Sequence, residues 1–228
     1  SEAAGGAFHA LLGNHELMNA RIDLRYVTDG GFADFMDTVE YEPGDSLKVW
    51  DRSSGTFRTA ILAEFEPHQR DRVAAFMPGG PYANLLAERQ VILQLGENVF
   101  VHGGVLPEHV AYGIDEINNS AQAWLRGEAD LPSVLSGSDS PQWTRLYSDD
   151  PDSSACSVLE EALNALGAKR IVMGHTIQES GIASACGGQA WRVDIGMAEY
   201  YASRTEYGGS VAVLEIVGDS VRVLKDDG

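Results

Sequence analysis

The chain has 228 residues, 44% of them hydrophobic and 22% charged, with 16 Lys and Arg against 34 Asp and Glu and a formal charge of −18 at pH 7. That balance excludes a disordered tail and suits a globular chain, read here as one domain over 1–228. An acidic field repels phosphate backbones and anionic headgroups, so neither nucleic acid nor a membrane surface is an expected partner, and an anionic substrate would need local positive charge, most simply a metal. No run approaches the ~18 apolar residues of a transmembrane helix. Two cysteines, Cys156 and Cys186, exclude a disulfide scaffold; free thiols in a reducing compartment are expected, with a disulfide between the two as the alternative. A soluble, intracellular protein follows as the expectation.

In chain order, Phe8–Leu12 reads as a short buried strand, with a helix opening at Asn14. Residues 31–39 keep apolar positions at helical spacing, with Phe32, Phe35 and Met36 on one face. Residues 40–56 are polar and turn-rich. The spacing predicts helices over 57–65 and 68–76, separated by Pro67, and a further turn or two over 82–88. Gln90–Leu95 and Asn98–Val101 flank Gly96-Glu97 as a hairpin. A helix is predicted over 115–127. The Ser, Asp, Gly and Pro of 130–154 mark the longest irregular stretch and the expected mobile loop. A helix over 154–166 should end at Gly167, and strands follow at 170–173, 181–184, 189–195, 210–217 and 220–225.

Three short motifs carry chemistry. Gly13-Asn14-His15-Glu16 follows a strand: an Asn amide oxygen can ligate a divalent metal and an adjacent His can donate a proton, although the same Asn also suits a plain helix cap. Val101-His102-Gly103-Gly104 and Met173-Gly174-His175-Thr176 each place a His at the end of an apolar strand beside Gly. Singly, each reads as a core or turn histidine. Together they matter, because loops at one edge of an α/β sheet are where such folds build sites, and one amide oxygen with two imidazoles suits Zn, Fe or Mn.

The order GNHE, HGG, GHT resembles the calcineurin-like metallophosphoesterases, and in particular the Shewanella-like protein phosphatases of the phosphoprotein phosphatase family. The likeness runs through GNHELMNARIDLRYVTDGGF at 13–32, VFVHGGVLPEHVAYGIDEIN at 99–118, WTRLYS at 143–148 and GHTIQESGIASACGGQAWRVDIGM at 174–197. It implies an α/β fold, a β-sandwich flanked by helices. It also implies hydrolysis of phosphate monoesters on a phosphorylated protein or peptide, using two divalent metal ions (Mn, Fe or Zn). Asn14, His102 and His175 would be ligands of one ion, His15 the general acid, and Arg145 the phosphate clamp, with Arg21, Arg25 and Arg192 as rivals; Glu16 would support or cap.

Members of that family carry D-x-H and GDxxDRG motifs before GNHE. Only 13 residues precede Asn14, and they contain neither. The expectation is therefore a domain lacking its first strands and the other metal's ligands, inactive in this form. A nucleotide or dinucleoside-polyphosphate phosphoesterase, and a degenerate binding module, are the alternative readings.

Overall fold

The computed structural model describes residues 2–51, 53–204, 206 and 208–225. The chain forms two compact units: Ser1–Gln90 with Asn118–Pro132, and Val91–Ile117 with Ser133–Gly228. It passes between them three times, so no single cut separates them.

In the first unit, helix α1 (Asn14–Ala20) opens where the Glu16 carboxylate accepts the Gly13 backbone N–H at 2.8 Å, satisfying a donor the helix leaves open. Its inner face buries Leu17, Met18 and Ala20. Helix α2 (Asp29–Ala33) is capped by the Thr28 hydroxyl, which accepts the Gly31 N–H at 3.1 Å. It stops at Ala33, short of the predicted span: Phe32 is buried, Phe35 packs on Phe76 and Tyr82, and Met36 faces solvent.

Strands β1 (Ser46–Asp51) and β2 (Thr56–Ile61) form an antiparallel hairpin in which Trp50 stands opposite Phe57. This corrects the helix predicted over 57–65. Phe57, Ala60, Ile61 and Phe65 imitate a helical stripe, but pairing with β1 buries Ala60 beside Leu47 and Val49, and Thr56 and Thr59 favour a pleated backbone. Only a short turn of helix, Leu62–Glu64, follows. Helices α3 (Pro67–Phe76) and α4 (Pro81–Leu86) each start on proline, whose missing N–H costs nothing there. Ile22, Leu47, Val49, Ala60, Leu62, Val73 and Ala74 make the core. The strand predicted at Phe8–Leu12 reduces to one parallel bridge between Leu11 and Gln90, with Phe8 exposed, because no further backbone pairing extends it among the described residues.

The second unit is built on a five-stranded mixed sheet ordered β3-β4-β5-β7-β6. Its strands are β3 (Ile92–Leu95), β4 (Asn98–Val101), β5 (Arg170–Met173), β6 (Ala183–Ala185) and β7 (Ala190–Arg192). β3 and β4 form the predicted hairpin, with Gly96 in the left-handed conformation its turn requires. β4, β5 and β7 run parallel. Arg170–Met173 is buried throughout, as a central parallel strand must be. A two-stranded sheet of β8 (Ala212–Val217) and β9 (Ser220–Lys225) completes the strands.

Helices α5 (Pro107–Tyr112) and α7 (Ser153–Leu166) belong to this unit, and α6 (Ile114–Leu125) spans the boundary. α7 begins at the Asp152 carboxylate, just before the start predicted at 154, and ends as predicted at Gly167, in the left-handed region. Cys156 in its first turn is disulfide-bonded to Cys186, with their Cα atoms 5.2 Å apart. This corrects the expectation of free thiols: the pairing rests on the tertiary approach of residues separated by 30 positions, which spacing alone does not reveal.

Candidate functional site

The parallel register dictates the site's starting point. Val101 of β4 stands opposite Met173 of β5, so His102 and Gly174 leave the sheet side by side, and the Gly174 N–H donates to the His102 carbonyl at 3.0 Å. One residue on, the chain turns: His175 has φ of 65°, a left-handed conformation that a side chain with Cβ adopts at a cost. The turn brings His175 Nδ1 to 3.0 Å from His102 Nε2, with ring centroids 4.8 Å apart. The Trp143 ring meets His175 edge-on at 5.5 Å, forming an apolar wall.

What holds His175 in that conformation is the WTRLYS segment. Arg145 Nη1 donates to the His175 carbonyl at 2.8 Å and to Thr176 Oγ1 at 2.7 Å. Ser148 Oγ lies 2.6 Å from Thr176 Oγ1, and Gln178 Nε2 donates to the carbonyls of Ser148 and Thr176. Of the guanidinium's donors, those on Arg145 Nη1 are committed to this tether, and the exposed remainder can still meet an anion.

Within 130–154, expected as a loose loop, the part from 140 to 148 is largely packed. Ser140, Gln142, Thr144, Tyr147 and Ser148 are all buried, and the Tyr147 hydroxyl donates to the Val105 carbonyl at 3.1 Å. Gly103 and Gly104 explain how it fits. Both N–H groups donate to the Pro141 carbonyl, at 2.8 and 3.0 Å. A Cβ at Gly103 would lie 2.9 Å from the carbonyl oxygens of Pro141 and Thr144. The glycines of the HGG motif thus admit a protein backbone to the site's flank.

The other motif lies in the first unit. Asn14 is buried at the start of α1, and His15 is exposed, its ring stacked on Tyr26 at 5.2 Å. His15 lines a cleft of about 450 Å³ with Tyr26, Arg72, Phe76, Tyr82 and Arg89. Glu16 has the predicted capping role. Among the rival arginines, Arg21 is buried against Trp50, and burial pulls its pKa down to about 10 against the opposing charge of Asp23. Arg25 pairs with Asp23. Arg192, on β7, pairs with Asp150 at 3.5 Å.

Two imidazole nitrogens at 3.0 Å could hold a borderline divalent ion between them. Nitrogens each ~2.1 Å from one ion lie about 3 Å apart when they subtend roughly a right angle. Among the described residues no group of three or more His, Cys, Asp or Glu side chains is gathered for a metal.

Known proteins resemble this chain in sequence and in fold. It is 36% identical over 242 residues to Shewanella-like protein phosphatase 2 of Arabidopsis thaliana, covering 98% of this chain and 61% of the relative. The two are homologous. Uncharacterized proteins of Schizosaccharomyces pombe and of Acanthamoeba polyphaga mimivirus are each 29% identical, over 223 and 250 residues, and 57% and 90% of their lengths are covered. The chain thus spans about three-fifths of the length of the first two relatives. No protein-family model matches it.

Among solved structures, a point mutant of a cold-active protein tyrosine phosphatase superposes with a TM-score of 0.62 at 20% identity, covering 97% of this chain and 57% of that one. The cold-active protein tyrosine phosphatase of a psychrophilic Shewanella species superposes with a TM-score of 0.60 at 22% identity, covering 93% and 54%. At that identity the likeness establishes a shared mixed α/β fold. No helix among the described residues is long and apolar enough to cross a membrane.

Proposed function

We propose that the chain carries part of the catalytic machinery of a metal-dependent phosphoprotein phosphatase of the calcineurin-like type, acting on a phosphorylated protein or peptide. The observation that carries the reading is the His102–His175 pair, 3.0 Å apart at the end of two parallel strands, in a chain homologous to a protein phosphatase. In this reading His102 Nε2 and His175 Nδ1 would hold one of two divalent ions (Mn, Fe or Zn); the family resemblance offers Asn14 as an amide ligand and a helix-flanked β-sandwich as the fold. Such an ion, when bound, supplies concentrated positive charge to the phosphoryl oxygens, which a chain of net charge −18 otherwise lacks.

The chain's own residues do the rest. Arg145 fixes the His175 turn through Nη1 and presents its remaining donors to a phosphate oxygen. His15, exposed at the head of α1, donates a proton to the departing seryl, threonyl or tyrosyl oxygen. Trp143 excludes water from one side of the imidazole pair. A nucleotide or dinucleoside-polyphosphate phosphoesterase remains the second reading, since GNHE occurs in that branch too.

The test is kinetic. In a form of the protein that also carries the D-x-H and GDxxDRG motifs, with metal supplied, phosphopeptides should be hydrolysed in preference to nucleotides. His15→Asn should lower kcat on a phosphoserine peptide by ~10²–10⁴-fold and much less on nitrophenyl phosphate, whose leaving group needs little protonation. An equal loss on both substrates would remove His15 from the acid role, and a preference for dinucleoside polyphosphates would favour the second reading.

A further inference from the structure

Arg192 is a largely buried cation with poor company among the described residues. It ends β7, its backbone opposite Met173 of β5 and therefore beside the strand that leads into Gly174-His175. Its side chain is only 13% exposed, and Nε is shielded from solvent with no hydrogen-bond acceptor among the described residues. The ionic partner it has there is Asp150, at 3.5 Å, beyond good hydrogen-bond length. The Asp150 side chain is fully exposed, on a residue with φ of 44° that lies just beyond Ser148 of the tethering segment.

Burying a guanidinium is costly unless its charge is paired and its donors are bonded, and a long contact to a hydrated carboxylate does little of either. Two other arginines near the motifs are better served: Arg145 bonds the His175 turn, and Arg72 bonds Asn19 and the Gly31 carbonyl. Arg192 is the last residue of β7, at the carboxyl edge of the parallel strands, where open α/β sheets receive ligands.

We infer that Arg192 is a second phosphate-binding guanidinium, completed by the oxygens of a phosphomonoester or of released phosphate, with Asp150 as the anion that phosphate displaces. The inference deepens the phosphatase reading and rests on it for the identity of the ligand. A planar fork matched to two phosphate oxygens would orient the ester while Arg145 keeps the His175 turn in place.

The experiment follows the Nε–H resonance of Arg192 by ¹H–¹⁵N NMR as inorganic phosphate is titrated into the chain, the resonance being assigned by its loss in Arg192→Lys. It should shift saturably, Arg192→Lys should weaken phosphate binding at least ~10-fold, and Asp150→Asn should tighten it about three- to tenfold by removing the competing carboxylate. A static Nε–H signal, or unchanged phosphate affinity in Asp150→Asn, would make Arg192–Asp150 a purely structural pair and overturn the inference. Failure of the phosphatase reading itself looks different: phosphate would still titrate Arg192, while a form of the protein that carries all the metal motifs would show no preference for phosphopeptides over nucleotides.

Discussion

Arg145 and His175 are joined through the His175 carbonyl, which accepts Nη1 at 2.8 Å while His175 itself stands at φ of 65°. The guanidinium thereby holds in place a backbone conformation that aims the imidazole at His102. Arg145→Met should leave the fold intact but weaken divalent-metal binding about tenfold, roughly 1.4 kcal/mol, in line with loss of a charged hydrogen bond. Calorimetric titration of variant and wild type checks this.

The glycines of the HGG motif set a steric prediction. A Cβ at Gly103 would sit 2.9 Å from two backbone oxygens that side-chain movement cannot relieve. Gly103→Ala should therefore cost about 1–3 kcal/mol. Gly44→Ala, with nothing within 4 Å of the new methyl, should be close to neutral. Denaturant unfolding of the two variants separates the cases.

Much of this is legible in sequence, and the failures share a cause. β4 and β5 are short, apolar and bounded by Gly, so period and punctuation suffice to find them and the histidines at their ends. α7 announces itself by Asp152 and Gly167. The hairpin at 46–61 is hidden because Ala60, Ile61 and Leu62 follow one another without alternation, and only its partner strand reveals which of them turns inward. The 130–154 segment looks loose because Ser, Asp and Pro are loop formers; its burial depends on the Gly103-Gly104 backbone, far earlier in the chain. The tether through Ser148, Thr176 and Gln178 and the disulfide are likewise tertiary facts. Arg192 stands among the rival arginines of the sequence, but its burial beside a single distant carboxylate has no sequence signal.

His109 yields a pH dependence. It is buried, and its Nδ1 accepts the Leu106 N–H at 3.0 Å, a bond the neutral ring alone can make. Burial holds its pKa below the ordinary imidazole value of 6.5, while Glu108 and Asp139 pull upward. A group whose folded pKa is depressed contributes stability above its unfolded pKa, and that contribution is lost as pH falls through the folded one. Stability should thus decline as pH drops below about 6.5, the unperturbed histidine value, and His109→Gln should flatten the decline. Urea unfolding at about pH 7.5 and about pH 5, on either side of that value, measures both.

The Cys156–Cys186 bond closes a loop over a separation of 30 residues. Chain-entropy arguments assign such a closure about 3–4 kcal/mol. Thiol titration of the unreduced protein should find no reactive cysteine, and Cys156→Ser should lower Tm by several degrees.

If His102 and His175 are ligands of one ion, metal uptake depends on both. Equilibrium dialysis against Mn²⁺ or Zn²⁺, followed by metal analysis, should show His102→Ala and His175→Ala each binding at least ~10-fold more weakly than wild type, with His15→Asn unchanged. If both alanine variants keep wild-type uptake, the 3.0 Å pair is a hydrogen bond between two structural histidines and the metal reading is contradicted.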